Sequence, residues 1–268
     1  MDYFQSILLG VVEGITEYLP VSSTGHLILT QRLLGIDSSA INNAYIIAIQ
    51  GGAILAVLAI YKHRFLQLLT GVFHSDRKGL KLLKNLLVAF LPAAVIGLLF
   101  DKKIEEHLFG LAPVVVAWFV GGVVILSLPK NYHIKKGTID NMTWQQSLVI
   151  GLIQCFAMWP GVSRSLATML GGMWVGLSMA GAIEFSFLLG VITLSAASIF
   201  KIWQHGSALL ANNDIGVLLS GFAVSFITAF MAVKWLVHYL QSHTLILFAW
   251  WRIGLAIIVG IGLFLQIL

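Results

Sequence analysis

Charge is what this chain lacks most. Asp, Glu, Lys and Arg make up 10% of its 268 residues, against about 25% in an ordinary soluble domain. With 59% hydrophobic residues and a mean hydropathy of +0.93, that scarcity excludes a large soluble core and indicates a polytopic membrane protein. Cysteine is nearly absent: the single Cys155 excludes an intrachain disulfide and a thiolate metal cage, and it reads as a small buried apolar residue. The N-terminus has neither a basic region nor an Ala-x-Ala-like site, so no cleavable signal peptide is expected. No HxH, HExxH, Walker loop or GxGxxG followed by an acid occurs, which argues against nucleotide chemistry and histidine-held metal. His63, His74, His107, His133, His205, His238 and His243 lie in or near loops and read as solvated or interfacial. The net charge of +5 reports on topology and anionic lipid headgroups rather than nucleic acid.

What is abundant fits a membrane. Eight Trp and sixteen Phe suit the membrane interfaces, and 26 Gly let helices approach closely. Residues 1–19 predict a short helix broken by Pro20, and 26–35 a second short apolar piece. Neither reaches the roughly 20 apolar residues of a spanning helix. Two such pieces around a polar turn read as a re-entrant hairpin over 1–41, tolerated at membrane depth where it is buried in protein or lines a wet cavity. Spans are expected at 42–61, 85–100 and 111–129, with a kink at Pro92, separated by a basic loop 62–84 and a mixed-charge loop 101–110. A polar loop, 130–143, joins the halves. The plan then recurs: a short helix 144–159, a break at Pro160-Gly161, a short piece 165–177, and spans at 182–201, 215–235 and 245–266. The expected fold is one all-α membrane domain over 1–268, with six transmembrane helices plus two re-entrant helix hairpins. Its halves, 1–135 and 136–268, form an inverted repeat, the second hairpin covering 144–181.

The repeat is visible residue by residue. Gly10 pairs with Gly151, Glu13 with Gln154, Tyr18 with Trp159, Val21 with Val162 and Ser22 with Ser163, all at an offset of 141. An odd number of spans per half inverts one half against the other, which puts polar residues near the midplane where broken helices meet. Loops 62–84 and 130–143, Lys130 included, carry ten Lys/Arg together with Lys234. The other side carries Arg32, Lys102, Lys103 and Lys201. The positive-inside rule makes the first group cytoplasmic, so the first hairpin opens from the outer side.

The polar residues gather in two stretches. Glu13 and Glu17, four apart, share one helix face; two carboxylates there can hold a hard divalent cation or supply a general base. Ser22, Ser23 and Thr24 lead into a helix at His26, and a helix N-terminus with free N–H groups is an anion site. Capping explains one hydroxyl, not three in a row. His26 lies three residues from Ser23, a spacing compatible with an activated nucleophile. The second stretch repeats the design with a cation: Arg164, the one arginine between Arg77 and Arg252, suits bidentate phosphate binding, and Ser163, Ser165 and Thr168 add hydroxyl donors. Arg164 pairing with Glu13 or Glu17 across the hairpins is compatible with that. Glu184 reads equally as a partner of Arg164 or as an acid at a helix N-terminus, and Gln50 is a weaker polar candidate. Together the set suits a phosphoryl group on an amphiphile whose tail stays in lipid.

These residues resemble a known family. Gly-Val-Val-Glu13-Gly-Ile-Thr-Glu17-Tyr-Leu-Pro-Val-Ser-Ser23-Thr-Gly-His26, Trp-Pro-Gly-Val-Ser163-Arg164-Ser, Ile49-Gln50-Gly-Gly-Ala-Ile-Leu-Ala-Val and Glu184-Phe-Ser-Phe-Leu-Leu resemble the bacterial undecaprenyl pyrophosphate phosphatases, also called bacitracin-resistance proteins. The resemblance runs in order along essentially the whole chain. It departs at Ile46, where relatives often carry an acid. It implies hydrolysis of undecaprenyl diphosphate to undecaprenyl phosphate and inorganic phosphate in the bacterial inner membrane, with Mg2+ or Ca2+ and a site open to the outer face. The positions it carries over are Glu13, Glu17, Ser23, His26, Ser163, Arg164 and Thr168.

The expected chemistry is attack by Ser23 on the terminal phosphorus, with His26 as base or acid. Glu13 and Glu17 hold a divalent cation or position the base, and Arg164, Ser22, Thr24, Ser163, Ser165 and Thr168 bind the diphosphate. His26 as nucleophile and a metal-bound water stay open as alternatives. A polyprenyl-phosphate transporter or flippase is the rival class, since inverted repeats with broken helices suit it too. The expected partners are a polyprenyl diphosphate and membrane lipid, and no nucleic acid; a homodimer is left open.

Overall fold

A computed structural model describes residues 1–37, 40–129, 135–212 and 214–268. Lys130 and His133, and the side chains of Lys102 and His205, lie outside the described residues. No strand forms among the described residues; one backbone bridge joins Gly137 and Leu177. The helices are α1 (Tyr3–Thr16), α2 (Ser23–Leu33), α3 (Ala40–Ile60), α4 (Lys62–His74), α5 (Arg77–Leu108), α6 (Leu111–Leu126), α7 (Trp144–Gln154), α8 (Arg164–Trp174), α9 (Met179–Asn212), α10 (Ile215–Tyr239) and α11 (Ile246–Phe264).

The short helices start from local signals. Asp2 accepts from the Gln5 backbone N–H while the Gln5 side chain reaches back, a capping box that opens α1. Thr143 and Gln146 do the same for α7. Helix α1 stops before Pro20, and α7 gives way to a 3-10 turn, Cys155–Met158, before Pro160. The 141-residue register then holds in three dimensions. Helices α2 and α8 begin and end at equivalent residues. Their caps, Ser22 and Ser163, share φ of 73° and 75°. Each helix is followed by a glycine at positive φ, Gly35 and Gly176.

Four helical segments are long and apolar enough to cross a membrane: Arg77–Phe100, Met179–Gln204, Ile215–Tyr239 and Ile246–Phe264. A fifth is Tyr45–Ile60 with α4, if that pair, bent by 81°, counts as one span. The chain is thus a multi-pass membrane protein, with four or five segments that meet this length and hydropathy among the described residues, where six spans are expected from sequence. The shortfall lies in α6, whose 16 residues reach about 24 Å at 1.5 Å per residue, less than a hydrocarbon core of about 30 Å.

Two segments expected as loops are helical. The basic stretch after Tyr61 forms α4, because Phe65, Leu68, Leu69, Val72 and Phe73 recur at helical spacing among its charges. Ser75 in the left-handed region and Asp76, which caps α5 through the Gly79 N–H at 2.9 Å, separate α4 from α5. Helix α5 itself runs on through the mixed-charge stretch to Leu108. Arg64 on α4 donates to Glu184 at 2.7 Å and to Asp140 at 3.1 Å. Glu184 is therefore neither a partner of Arg164 nor a first-turn acid of α9. It ties α4 to the bundle.

Helix α1 packs on α10 and α3, α7 on α5, α3 on α9, α8 on α7 and α9, and α6 on α11. The α1–α10 crossing depends on small residues. A Cβ on Gly14 would lie 2.4 Å from the Ser225 carbonyl oxygen, and one on Gly10 2.5 Å from that of Gly221. Gly14→Ala is therefore expected to cost about 1–3 kcal/mol and to lower the melting temperature in detergent. Gly254→Ala, with nothing within 4 Å of its added Cβ, is expected to melt with the wild type. Equal melting of both variants would show that the crossing tolerates a wider separation.

Candidate active site

Two turns, one from each hairpin, meet, and hydrogen bonds between serine hydroxyls and backbone groups lock them together. Ser22 and Ser163 sit at positive φ, where non-glycine residues are uncommon and strained. Their hydroxyls accept from the N–H groups of Gly25 at 3.4 Å and Leu166 at 3.2 Å, capping α2 and α8. The Ser22 hydroxyl also accepts from the Gly161 N–H at 3.1 Å, a bond from one turn to the other. Ser165 returns the link by donating to the Leu19 carbonyl at 2.9 Å, and it lies 3.0 Å from the Ser163 hydroxyl. Capping and turn-to-turn contacts thus occupy Ser22, Ser163 and Ser165.

With the turns fixed, the side chains at the two helix starts converge on Glu17. Its Oε1 accepts from Arg164 Nη2 at 2.9 Å. Its Oε2 accepts the Ser23 hydroxyl proton and, at 3.4 Å, an N–H of the Gln50 amide. Arg164 also donates through Nη1 to the Ser186 carbonyl at 3.1 Å and lies over the Tyr18 ring, 5.1 Å from its centroid. Its Nε–H has no protein acceptor. Thr168 donates to the Arg164 carbonyl at 2.8 Å and meets Ser186 at 2.7 Å, fastening α8 to α9 under the arginine.

Beside this cluster opens a cavity of about 500 Å³. Glu17, Ser22, Ser23, Thr24, Gln50, Gln154, Ser163 and Arg164 line its polar end. Phe90, Ala94 and Leu98 of α5 and Leu194, Ala197 and Phe200 of α9 line its apolar flank, which reaches Lys201. The chamber is thus polar at one end and apolar along its flank.

Not every expected residue joins the cluster. His26 is buried against Trp118 and Trp251, ring centroids 5.1 and 6.1 Å away. Its Nδ1 lies 2.7 Å from the Ser22 carbonyl, and its Nε2 accepts the Trp251 indole N–H at 3.0 Å. A carbonyl partner on one nitrogen and an indole donor on the other fix a neutral ring with its proton on Nδ1. The hydroxyl of Ser23 therefore bonds to Glu17 rather than to His26. Ile46, where relatives often carry an acid, packs with the apolar cluster of Leu9, Tyr45 and Ile49.

Glu13 is fully buried, and neither carboxylate oxygen has a hydrogen-bond donor. Glu17, Gln50 and Arg164 are its electrostatic neighbours. Among the described residues no group of three or more His, Cys, Asp or Glu gathers as a metal cage. One undonated carboxylate beside a second fits a cation of the Mg2+ kind, which keeps waters and takes one or two carboxylates plus substrate phosphate.

The residue that sequence reading missed is Arg252. It is fully buried in α11, and among the described residues no carboxylate pairs with it. It donates to four backbone carbonyls: Ala117 at 3.0 Å, Trp118 at 3.4 Å, Pro20 at 3.3 Å and Gly161 at 2.8 Å. Pro20 and Gly161 are equivalent at the 141 offset, so one guanidinium holds both turns against α6. Trp118 adds an indole bond to the Val21 carbonyl at 3.1 Å. The available signal was an arginine within an apolar span, which is costly enough in a membrane to mark a site by itself.

A family model described as bacitracin resistance protein BacA matches residues 6–258. Among curated relatives, an undecaprenyl-diphosphatase 2 of Rhodospirillum rubrum is 46% identical over 256 residues, covering 95% of this chain and 93% of that protein. An undecaprenyl-diphosphatase 1 of Chromobacterium violaceum is 45% identical over 257 residues, 96% and 94% of the two chains. An undecaprenyl-diphosphatase of Sorangium cellulosum is 45% identical over 264 residues, 97% and 86%.

The role of Arg252 is open to a direct test. Arg252→Met strips its donors from four buried carbonyls, and an expected loss of about 2 kcal/mol or more should appear as a lower melting temperature in detergent. Arg252→Lys, with three donors but no planar fork, should recover only part of it. A methionine variant as stable as wild type would mean that the two turns hold without the clamp.

Proposed function

The chain belongs to the bacitracin resistance protein BacA family, and from that membership we propose that it hydrolyses undecaprenyl diphosphate to undecaprenyl phosphate and inorganic phosphate, returning the lipid carrier to cell-wall synthesis. The observation that carries the reading is the convergence of Ser23 and Arg164 on the two oxygens of Glu17. Nucleophile, proton acceptor and cation meet at the polar end of a cavity whose flank is apolar. A transporter needs no such constellation, and the names of the relatives do not favour one.

In the proposed reaction the Ser23 hydroxyl gives its proton to Glu17 as its oxygen attacks the terminal phosphorus. The bond from that phosphorus to the bridging oxygen breaks, and undecaprenyl phosphate leaves with the electron pair. Water then attacks the phosphorus of phosphoserine, the bond from phosphorus to the Ser23 oxygen breaks, Glu17 returns its proton to that oxygen, and inorganic phosphate departs. Arg164, through Nη2 and the acceptor-free Nε–H, meets charge on the phosphoryl oxygens. The N-termini of α2 and α8 add backbone donors. His26 positions rather than transfers protons: its bond to the Ser22 carbonyl braces the residue next to the nucleophile. A bound Mg2+ or Ca2+ would be held by Glu13 with Glu17, and it would neutralise charge on the diphosphate.

The finer topology belongs to the same proposal: six spans and two re-entrant hairpins, with 1–135 and 136–268 as inverted halves. The shared register of α2 and α8 supports it, as does the exchange of partners, α1 with α10 and α7 with α5. The basic residues Arg64 and Lys81 both reach Asp140, at 3.1 Å and, through its carbonyl, 2.7 Å, which gathers the basic segments at one end of the molecule. The cavity runs the other way, toward Leu98 and Lys201 on the far parts of α5 and α9. By the positive-inside rule that end faces outward from the bacterial inner membrane.

Phosphate release from undecaprenyl diphosphate in detergent tests the reading. Ser23→Ala is expected to lose about 1,000-fold or more in kcat, and Glu17→Gln at least about 100-fold, while His26→Gln retains most of the rate if the ring only positions. A Ser23→Ala enzyme at wild-type rate sinks the covalent route. Chelator is expected to abolish release and added Mg2+ or Ca2+ to restore it; full activity in chelator would remove the cation from the scheme.

A further inference from the structure

Gln154 is the last residue of α7 and takes no part in the chemistry above. It is 2% exposed, and neither its Oε1 nor its Nε2 has a hydrogen-bond partner. It nonetheless forms part of the wall of the cavity, in company with Ser23, Gly161, Ser163 and Arg164. A buried amide with both ends unpaired is rare, because taking it out of water costs free energy that only a partner returns. Among the described residues none supplies a partner, and the cavity offers room for one.

The 141 register sharpens the point. The equivalent of Gln154 is Glu13, also buried and also without a donor. The two side chains have the same length and differ by one charge. A carboxylate suits a place where a cation is to be held. A further carboxylate in the cavity wall, added to Glu17, would repel a phosphate and compete for Arg164, whereas an amide N–H donates to a phosphate oxygen without either effect. The amide oxygen remains able to accept from a protonated phosphate oxygen or from water.

We propose that Gln154 is a substrate-contacting residue, its amide N–H donating to a phosphate oxygen of the ligand in the cavity. This rests on the phosphatase reading for the identity of that ligand. The test uses full-length protein in detergent carrying Ser23→Ala, which binds without turnover, and two probes: farnesyl diphosphate, a short polyprenyl diphosphate, and inorganic phosphate. Adding Gln154→Leu is expected to weaken farnesyl diphosphate binding about 10-fold or more, the loss of one charge-assisted hydrogen bond, and Gln154→Glu to weaken it further. Weakening toward both probes places the contact at the terminal phosphate; weakening toward the lipid diphosphate alone places it at the inner one. With Ser23 intact, Gln154→Leu is expected to raise KM far more than it lowers kcat.

Stability supplies an independent readout. A leucine removes an unpaired buried amide, so the ligand-free variant should melt at or above the parent temperature. A clear fall in melting temperature would reveal an internal partner and overturn the proposal, as would unchanged binding of both probes by Gln154→Leu. Phosphate release by the protein with Ser23 intact reports on the hydrolytic reading separately, since the binding comparison does not require turnover.

Discussion

The ion pair between Glu17 and Arg164, at 2.9 Å, is the contact on which the rest of the site depends. It joins residues 147 positions apart, one from each half of the chain, with both side chains nearly buried. At this depth the two opposite charges stabilise each other. Pairing also leaves each with spare capacity. Glu17 keeps a second oxygen for Ser23, and Arg164 keeps an N–H without an acceptor. The pair therefore holds the two turns together and leaves donor and acceptor capacity facing the cavity.

Bringing the halves to that distance needs backbone precision, which comes from bonds that carry no chemistry. Arg252 binds the carbonyls of both turns, Ser22 accepts from Gly161, and Ser165 donates to Leu19. The strained φ at Ser22 and Ser163 is held by these contacts. It turns the chain so that the next residue in each half, Ser23 or Arg164, starts a helix at the same point. Strain at a functional turn persists where the surroundings over-determine it, and the clamp around Arg252 is that surrounding. The reliance on backbone carbonyls also explains a buried arginine with no acid beside it.

Much of this was legible in the sequence, and the parts that were not have physical reasons. Glu17, Ser23 and Arg164 stood out because polar residues are scarce and costly in an apolar chain, and the 141 offset showed that the two stretches form one design. The membership of the BacA family was readable from the same motifs. His26 lies apart from Glu17 because spacing gives proximity along a helix but not direction: three residues on from Ser23, it turns toward α6 and α11, where Trp251 supplies a donor. The segment after Tyr61 misled because its charges masked the helical recurrence of its apolar residues. Glu184 found Arg64, a partner 120 positions away on a helix that had been read as a loop. Arg252 went unnoticed because its acceptors are backbone carbonyls, which leave no mark in a pattern of side chains.

The duplication itself explains why the site is asymmetric. Two turns with the same backbone would, with the same side chains, present either two nucleophiles or two cations. The chain instead places a hydroxyl at one helix start and a guanidinium at the equivalent start of the other. Ser23 and Arg164 stand at equivalent positions of α2 and α8 and meet on the two oxygens of Glu17. Glu13 and Gln154 divide in the same manner, a charged acid in the half that carries the proton acceptor and a neutral amide in the half that carries the cation. Near-symmetric scaffolding with different side chains in each half sets the guanidinium of one half against the carboxylates of the other. It also confines the expensive polar groups to one place in the membrane, where each finds a partner in the other half or in the ligand.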